Sequence, residues 1–170
     1  PKSLIFAVTI ALAFGLTACS KAETTDVASA SCSKADLATV TSGKLTIATG
    51  EPAYYPWVID DKPETGEGFE GAVAYAVAKQ LGFTNDEVVW VRTTFDGAVT
   101  PGEKKFDFNL QQFSITADRS KVVDFSSPYY TAPQAIVSYK GSKIAGKTSI
   151  ADLKSAKLGA AVGTTSLDAI

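Results

Sequence analysis

Between Gly43 and Phe113 the chain alternates short β-rich runs with helical patterns, and this order limits the fold more than any other feature of the sequence. Leu45, Thr46, Ile47, Ala48 and Thr49 form a first strand pattern closed by Gly50, and a Pro- and Tyr-rich loop follows over 51–57. Residues 66–71 open a helix carrying Val73, Val77 and Leu81 at i, i+4 and i+8, and Gly82 stands where a C-terminal cap is expected. Val88, Val89, Trp90 and Val91 read as a buried strand, 95–99 as a short helix ending near Pro101 and Gly102, and 106–113 as a third strand. The expected fold class is therefore α/β, with a mainly parallel sheet and helices on both faces.

Sheets of this kind place ligands outside the carboxyl ends of their strands, at a topological switch point. Three loops converge there. The first offers Glu51, Tyr54, Tyr55 and Trp57, the second Phe95, and the third Gln111, Gln112, Ser114 and Arg119. Aromatic walls, amides, hydroxyls and a guanidinium suit a small polar ligand with an apolar part. Arg119 can take a carboxylate bidentately, while Ser114, Thr116 and the free N–H groups of the turn supply further donors. The same residues admit a structural reading, in which Ser114 and Thr116 cap the turn and Arg119 pairs with Asp118 or Asp124. Trp57 is expected in local core, and Tyr54 and Phe95, at strand ends, are better placed for a ligand.

After Tyr130, residues 134–139 read as a strand leaving this first unit. A second unit then begins with a capped helix start over 148–153, a strand over 157–162, and a turn of Gly163, Thr164, Thr165 and Ser166 into a final helix. That turn can either meet an anion or simply cap the helix.

Residues 4–16 are almost wholly apolar, with Lys2 before them and Thr17, Ala18 and Cys19 after. The stretch is shorter than the roughly 20 residues that span a bilayer core of about 30 Å, so residues 1–18 are expected to be an export signal. Leu16, Thr17, Ala18 and Cys19 resemble the lipobox of bacterial lipoproteins, whose cysteine becomes the lipid-bearing first mature residue. Residues 19–42, mostly Ser, Thr, Ala, Lys and Asp, are then a lipid-anchored flexible tether. With Cys19 acylated, Cys32 has no partner in the chain. The chain has no Met, opens on Pro1 and stops at Ile170 inside a helical pattern, so a longer gene product is expected.

Composition excludes several classes. Sixteen Lys and Arg against 18 Asp and Glu give a net charge of −2, which offers no basic field for nucleic acid. The absence of His removes the usual catalytic triad, the commonest general base and most zinc sites. No cofactor or metal is expected.

The residues Tyr54, Tyr55, Pro56 and Trp57, then Gly68, Phe69 and Glu70 before an Ala-rich helix closed by Leu81 and Gly82, resemble one family. So do Phe106 and Asp107, Ser114, Ile115 and Thr116 with Arg119, Asp124, Phe125 and Ser126 with Pro128, Tyr129 and Tyr130, and Gly163, Thr164 and Thr165. They resemble the extracellular solute-binding proteins of bacterial ABC importers for polar amino acids, over 43–170. The resemblance implies a two-lobed type II periplasmic-binding fold closing over its ligand. Lobe 1 would occupy 43–132, nearly complete, and a hinge strand with a truncated lobe 2 would occupy 133–170. It also implies that Tyr54 and Phe95 sandwich the ligand, Ser114 and Arg119 hold its α-carboxylate, and Thr164 and Thr165 close from the other lobe. Glu51 falls where some members contact a side-chain ammonium. Gln111 and Gln112 stand where other members often carry Ser, and Gln112 joins the expected ligand set. The residue that binds the α-ammonium would lie beyond Ile170. The implied protein is a monomer without enzymatic activity, anchored at Cys19 on the extracellular face of the membrane, delivering an amino acid to a permease. Enzymes of the cyclohexadienyl dehydratase type, accessory modules of cell-wall lyases and receptor sensory domains share the fold and form the alternatives.

Overall fold

β1 (Leu45–Gly50) is the central strand of a three-stranded parallel sheet in a computed structural model that describes residues 33–170. The expected export signal, Cys19 and Cys32 lie outside the described residues. β2 (Val88–Thr93) pairs with β1 along its full length, from Leu45 opposite Val88 to Gly50 opposite Thr93. β3 (Phe108–Asn109) flanks the other side, with Ile47 opposite Phe108 and Ala48 opposite Asn109. A central strand meets helices or loops on both faces, and every residue of β1 is buried, Thr46 and Thr49 included.

α1 (Phe69–Gln80) packs on this strand through Ala74 and Ala78, which join Leu45, Ile47, Phe83 and Leu110 in one apolar cluster. The inward stripe is rotated from the expected one. Val73 and Leu81 border the core, but Val77 is exposed and the alanines face the sheet. Small side chains let the helix backbone approach closely, so they take the position of closest contact. Gly82 closes the helix with φ +85°. At the other end Gly68 adopts φ 93° and ψ 166°, and the first helical N–H groups find carbonyls of the 51–57 loop. Phe69 N–H donates to Pro56 O at 3.1 Å and Glu70 N–H to Trp57 O at 2.9 Å.

α2 (Phe95–Val99) follows β2 immediately, capped by Thr94, whose Oγ1 accepts from Gly97 N–H at 3.1 Å. Upstream of β1, Lys34 Nζ lies 2.5 Å from Glu87 Oε1 and Leu37 packs against the core. Asp107 joins three parts of the chain: Oδ1 accepts Val40 N–H and Oδ2 accepts Thr46 N–H, each at 2.7 Å.

Three expected strands differ. The third pairs over two residues only, and the backbone turns to φ +51° at Gln112, three residues beyond its end. Residues 134–139 and 157–162 form no ladder, since no strand among the described residues lies beside them. The capped turn at 150–153 does form, with Ser149 Oγ accepting Asp152 N–H at 3.3 Å. α3 (Thr165–Asp168) also forms, with Thr164 Oγ1 accepting Leu167 N–H at 3.4 Å. No helix among the described residues is long and apolar enough to cross a membrane.

Candidate ligand-binding site

The carboxyl ends of the three strands, at Gly50, Thr93 and Asn109, deliver their loops to one edge of the sheet. α2 starts there with Phe95, whose ring lies 4.2 Å from that of Phe113, centroid to centroid. The half-buried Arg119 sits across both rings, its guanidinium carbon 5.2 Å from the Phe95 centroid and 5.5 Å from that of Phe113. Its Nη1 donates to Ser114 O at 2.8 Å and its Nη2 to Gly163 O at 2.9 Å. Both partners are neutral carbonyls.

Ion pairing, one of the two readings of this turn, goes elsewhere. Asp118 pairs with Lys121 at 2.6 Å, which holds the Asp118 carboxyl below its ordinary range, and no carboxylate among the described residues pairs with Arg119. Turn capping is present in part, since Thr116 Oγ1 accepts Arg119 N–H at 3.2 Å. The second half of the chain meets the first at this point. Ser114 Oγ lies 3.2 Å from Thr165 Oγ1, and Gln134 Nε2 donates to the same hydroxyl at 3.3 Å. Thr164 donates its hydroxyl to Ala161 O at 2.6 Å.

The structure thus brings together Phe95, Ser114, Arg119 and Thr165, with Thr164 alongside. It does not bring Glu51 or Tyr54 to them. Both are exposed, and neither makes a hydrogen bond, ion pair or ring contact with the group. Their loop is fastened instead to β2, where Asp61 accepts Ala53 N–H at 2.7 Å and the Arg92 guanidinium. These two bonds lower the Asp61 carboxyl below its usual range, the Ala53 N–H contributing most. Trp57 packs as expected, edge-on to Phe69 at 5.7 Å and to Tyr130 at 4.9 Å.

Gln112 is the main departure. Its backbone N–H donates to Glu70 Oε1 at 2.8 Å and its side-chain amide donates to Glu70 Oε2, so neither group faces Arg119. Tyr129 completes the arrangement, its hydroxyl 2.6 Å from Glu70 Oε1. Burial, reinforced by the Glu70 carboxylate, raises the Tyr129 phenol well above its ordinary value. Glu70 is 1% exposed and drew no role from the sequence. The available signal was a carboxylate on the helix face that also carries Ala74 and Ala78, four and eight residues on. An open recess of about 590 Å³ lies at the other end of β2, lined in part by Tyr75, Asp86, Val88 and Trp90. It contains none of the expected ligand residues.

A parallel sheet whose strand ends present a guanidinium and hydroxyls is an arrangement for small anionic groups. The model of the bacterial extracellular solute-binding proteins, family 3, matches residues 45–167, and the chain belongs to that family, whose fold is the two-lobed type II periplasmic-binding fold. Among its relatives, the arginine-binding extracellular protein ArtP of Bacillus subtilis is 30% identical over 164 residues, 96% of this chain and 56% of that protein. The L-arginine-binding protein of Pseudomonas aeruginosa is 29% identical over 116 residues, 68% of this chain and 43% of that protein. The L-cystine-binding protein TcyJ of Escherichia coli is 34% identical over 116 residues, 67% of this chain and 42% of that protein. The chain spans about half the length of the curated relatives it matches. No solved structure gives a significant match.

Proposed function

We propose that the protein is a substrate-binding lipoprotein that captures a polar amino acid outside the cell and hands it to an ABC-type permease. The observation that carries this reading is the guanidinium of Arg119, held over two aromatic rings with only carbonyl oxygens as hydrogen-bond partners among the described residues. A carboxylate is a stronger acceptor than a carbonyl, by roughly twofold for charge-assisted bonds, so an α-carboxylate can displace Gly163 O from Nη2. Ser114 and Thr165, 3.2 Å apart, then supply hydroxyls from the two halves of the chain, and Thr164 adds another. Phe95 forms the apolar wall.

Glu51 and Tyr54, exposed on the neighbouring loop, are assigned to the ligand's side chain, with Glu51 favouring a cationic group. Relatives named for arginine, histidine and cystine support an amino acid as the ligand class. Capture rather than catalysis fits a site built from a guanidinium, hydroxyls and aromatic rings. The lipid anchor rests on the run ending in Cys19.

Calorimetric titration of the full-length chain with L-arginine, L-histidine and L-cystine tests the reading. Arg119→Ala is expected to cost about 2–5 kcal/mol of binding free energy, roughly 30-fold or more in affinity, with the fold retained. Arg119→Lys keeps the charge but loses the planar fork, so a partial loss is expected. Unchanged affinity in Arg119→Ala would sink the carboxylate assignment.

A further inference from the structure

We propose that Glu70 is a positioning residue for the ligand loop, its buried carboxylate holding Gln112 left-handed and thereby fixing where Phe113 and Ser114 meet Arg119. The proposal rests on the reading of Arg119 as the carboxylate clamp. Residues with a Cβ rarely adopt positive φ, yet Gln112 stands at +51°. Its compensation is visible. Both of its donor groups, main chain and side chain, end on the two oxygens of Glu70.

Glu70 in turn is fixed by α1, whose first turn is hydrogen-bonded to the carbonyls of Pro56 and Trp57. A carboxylate that is 1% exposed is tolerable only when its lone pairs are occupied, and Gln112 and Tyr129 occupy them. Immediately after Gln112, Phe113 stacks on Phe95 and the Ser114 carbonyl takes Arg119 Nη1. A return of Gln112 to negative φ would swing that carbonyl away and leave the guanidinium without its fixed partner. Tyr129 shares Oε1 with the Gln112 N–H, so the segment leaving the first half of the chain is tied to the same atom.

The test uses three variants of the full-length chain, with crystal structures and titrations of L-arginine, L-histidine and L-cystine. Glu70→Met keeps the length but removes the acceptors. Gln112 is expected to leave its left-handed conformation, the Arg119 to Ser114 bond to break, and affinity to fall about tenfold, the scale of a lost left-handed preference. Glu70→Gln keeps an oxygen for the Gln112 N–H and Tyr129, and Gln112 can flip its own amide to match, so it should bind nearly as the parent does. Adding Gln112→Gly to Glu70→Met should restore affinity, because glycine takes positive φ unaided. If Glu70→Met does not fold, Glu70→Asp, which withdraws the carboxylate by one methylene, takes its place.

Gln112 remaining near +51° in Glu70→Met, or in Glu70→Asp where that replaces it, with Arg119 still on Ser114 O overturns the proposal, as does failure of Gln112→Gly to restore binding. The structural readout decides the positioning role without a ligand. If Arg119→Ala binds normally while Glu70→Met still releases Gln112, it is the clamp assignment that fails.

Discussion

Replacing Gly68 with Ala should be among the most damaging single changes available to the sheet-and-helix unit. At φ 93° and ψ 166° the backbone occupies a region that is essentially restricted to glycine, and a side chain there costs about 1–3 kcal/mol. The new Cβ would also lie 2.5 Å from Trp57 O, 2.7 Å from its carbonyl carbon and 2.8 Å from Val58 Cα. These are backbone atoms, so no rotamer change relieves the contact. The displaced carbonyl is the acceptor for Glu70 N–H at 2.9 Å and Gly71 N–H at 3.3 Å, and each bond lost removes roughly 0.5–1.5 kcal/mol. A total of about 2–6 kcal/mol follows, a large part of the roughly 5–15 kcal/mol that holds an ordinary domain together. Gly43 provides the control, with φ +74° and nothing within 4 Å of an added Cβ. There Ala should cost only the backbone preference, about 1–2 kcal/mol. Urea unfolding of the full-length chain, followed by far-ultraviolet circular dichroism, compares the two midpoints. Equal losses for Gly68→Ala and Gly43→Ala would refute the steric argument.

Glu87 gives a pH prediction. Lys34, and after it the Thr84 N–H, hold its carboxyl at about 2 against an ordinary 4.5, so its contribution to stability is full above pH 4.5 and disappears as pH falls through 2. Lys34→Met should flatten the fall in urea midpoint across that window, and an unaltered slope would show that the pair does not act this way. A further expectation concerns the second half of the chain, where Val137, Ile150 and Val162 are 92%, 85% and 80% exposed. Limited proteolysis with mass spectrometry should cut within 131–170 well before 45–110, and equal protection of the two regions would count against this account.

The first elements of the chain were legible because their residue types alone specify them. β1, β2, α1 and α2 lie where the β-branched runs, the Ala-rich stretch closed by Gly82, and the short pattern ending near Pro101 and Gly102 put them. The rotation of α1 was not legible, since a period places apolar residues on one side without ranking Val77 against Ala74 and Ala78. Strand patterns at 134–139 and 157–162 describe a preference that becomes a strand only beside a partner. In the site, the hydroxyl-rich turn with Arg119 was readable from side-chain chemistry. Its present partners, Ser114 O and Gly163 O, are main-chain atoms, and any residue type carries those. Glu70 was hidden for a related reason: its donors come from 42 and 59 positions along the chain.

The contacts upstream of β1 bear on how the domain would carry mechanical load. Tension entering before Lys34 would meet its contact with Glu87, then the packing of Leu37 on the core and the bond from Val40 to Asp107, and only then β1. Because β1 is hydrogen-bonded to strands on both sides, a pull along its axis must shear two ladders at once rather than peel one open. Under such a load the contacts before Leu45 would yield ahead of the two ladders, shielding the edge where Arg119 sits.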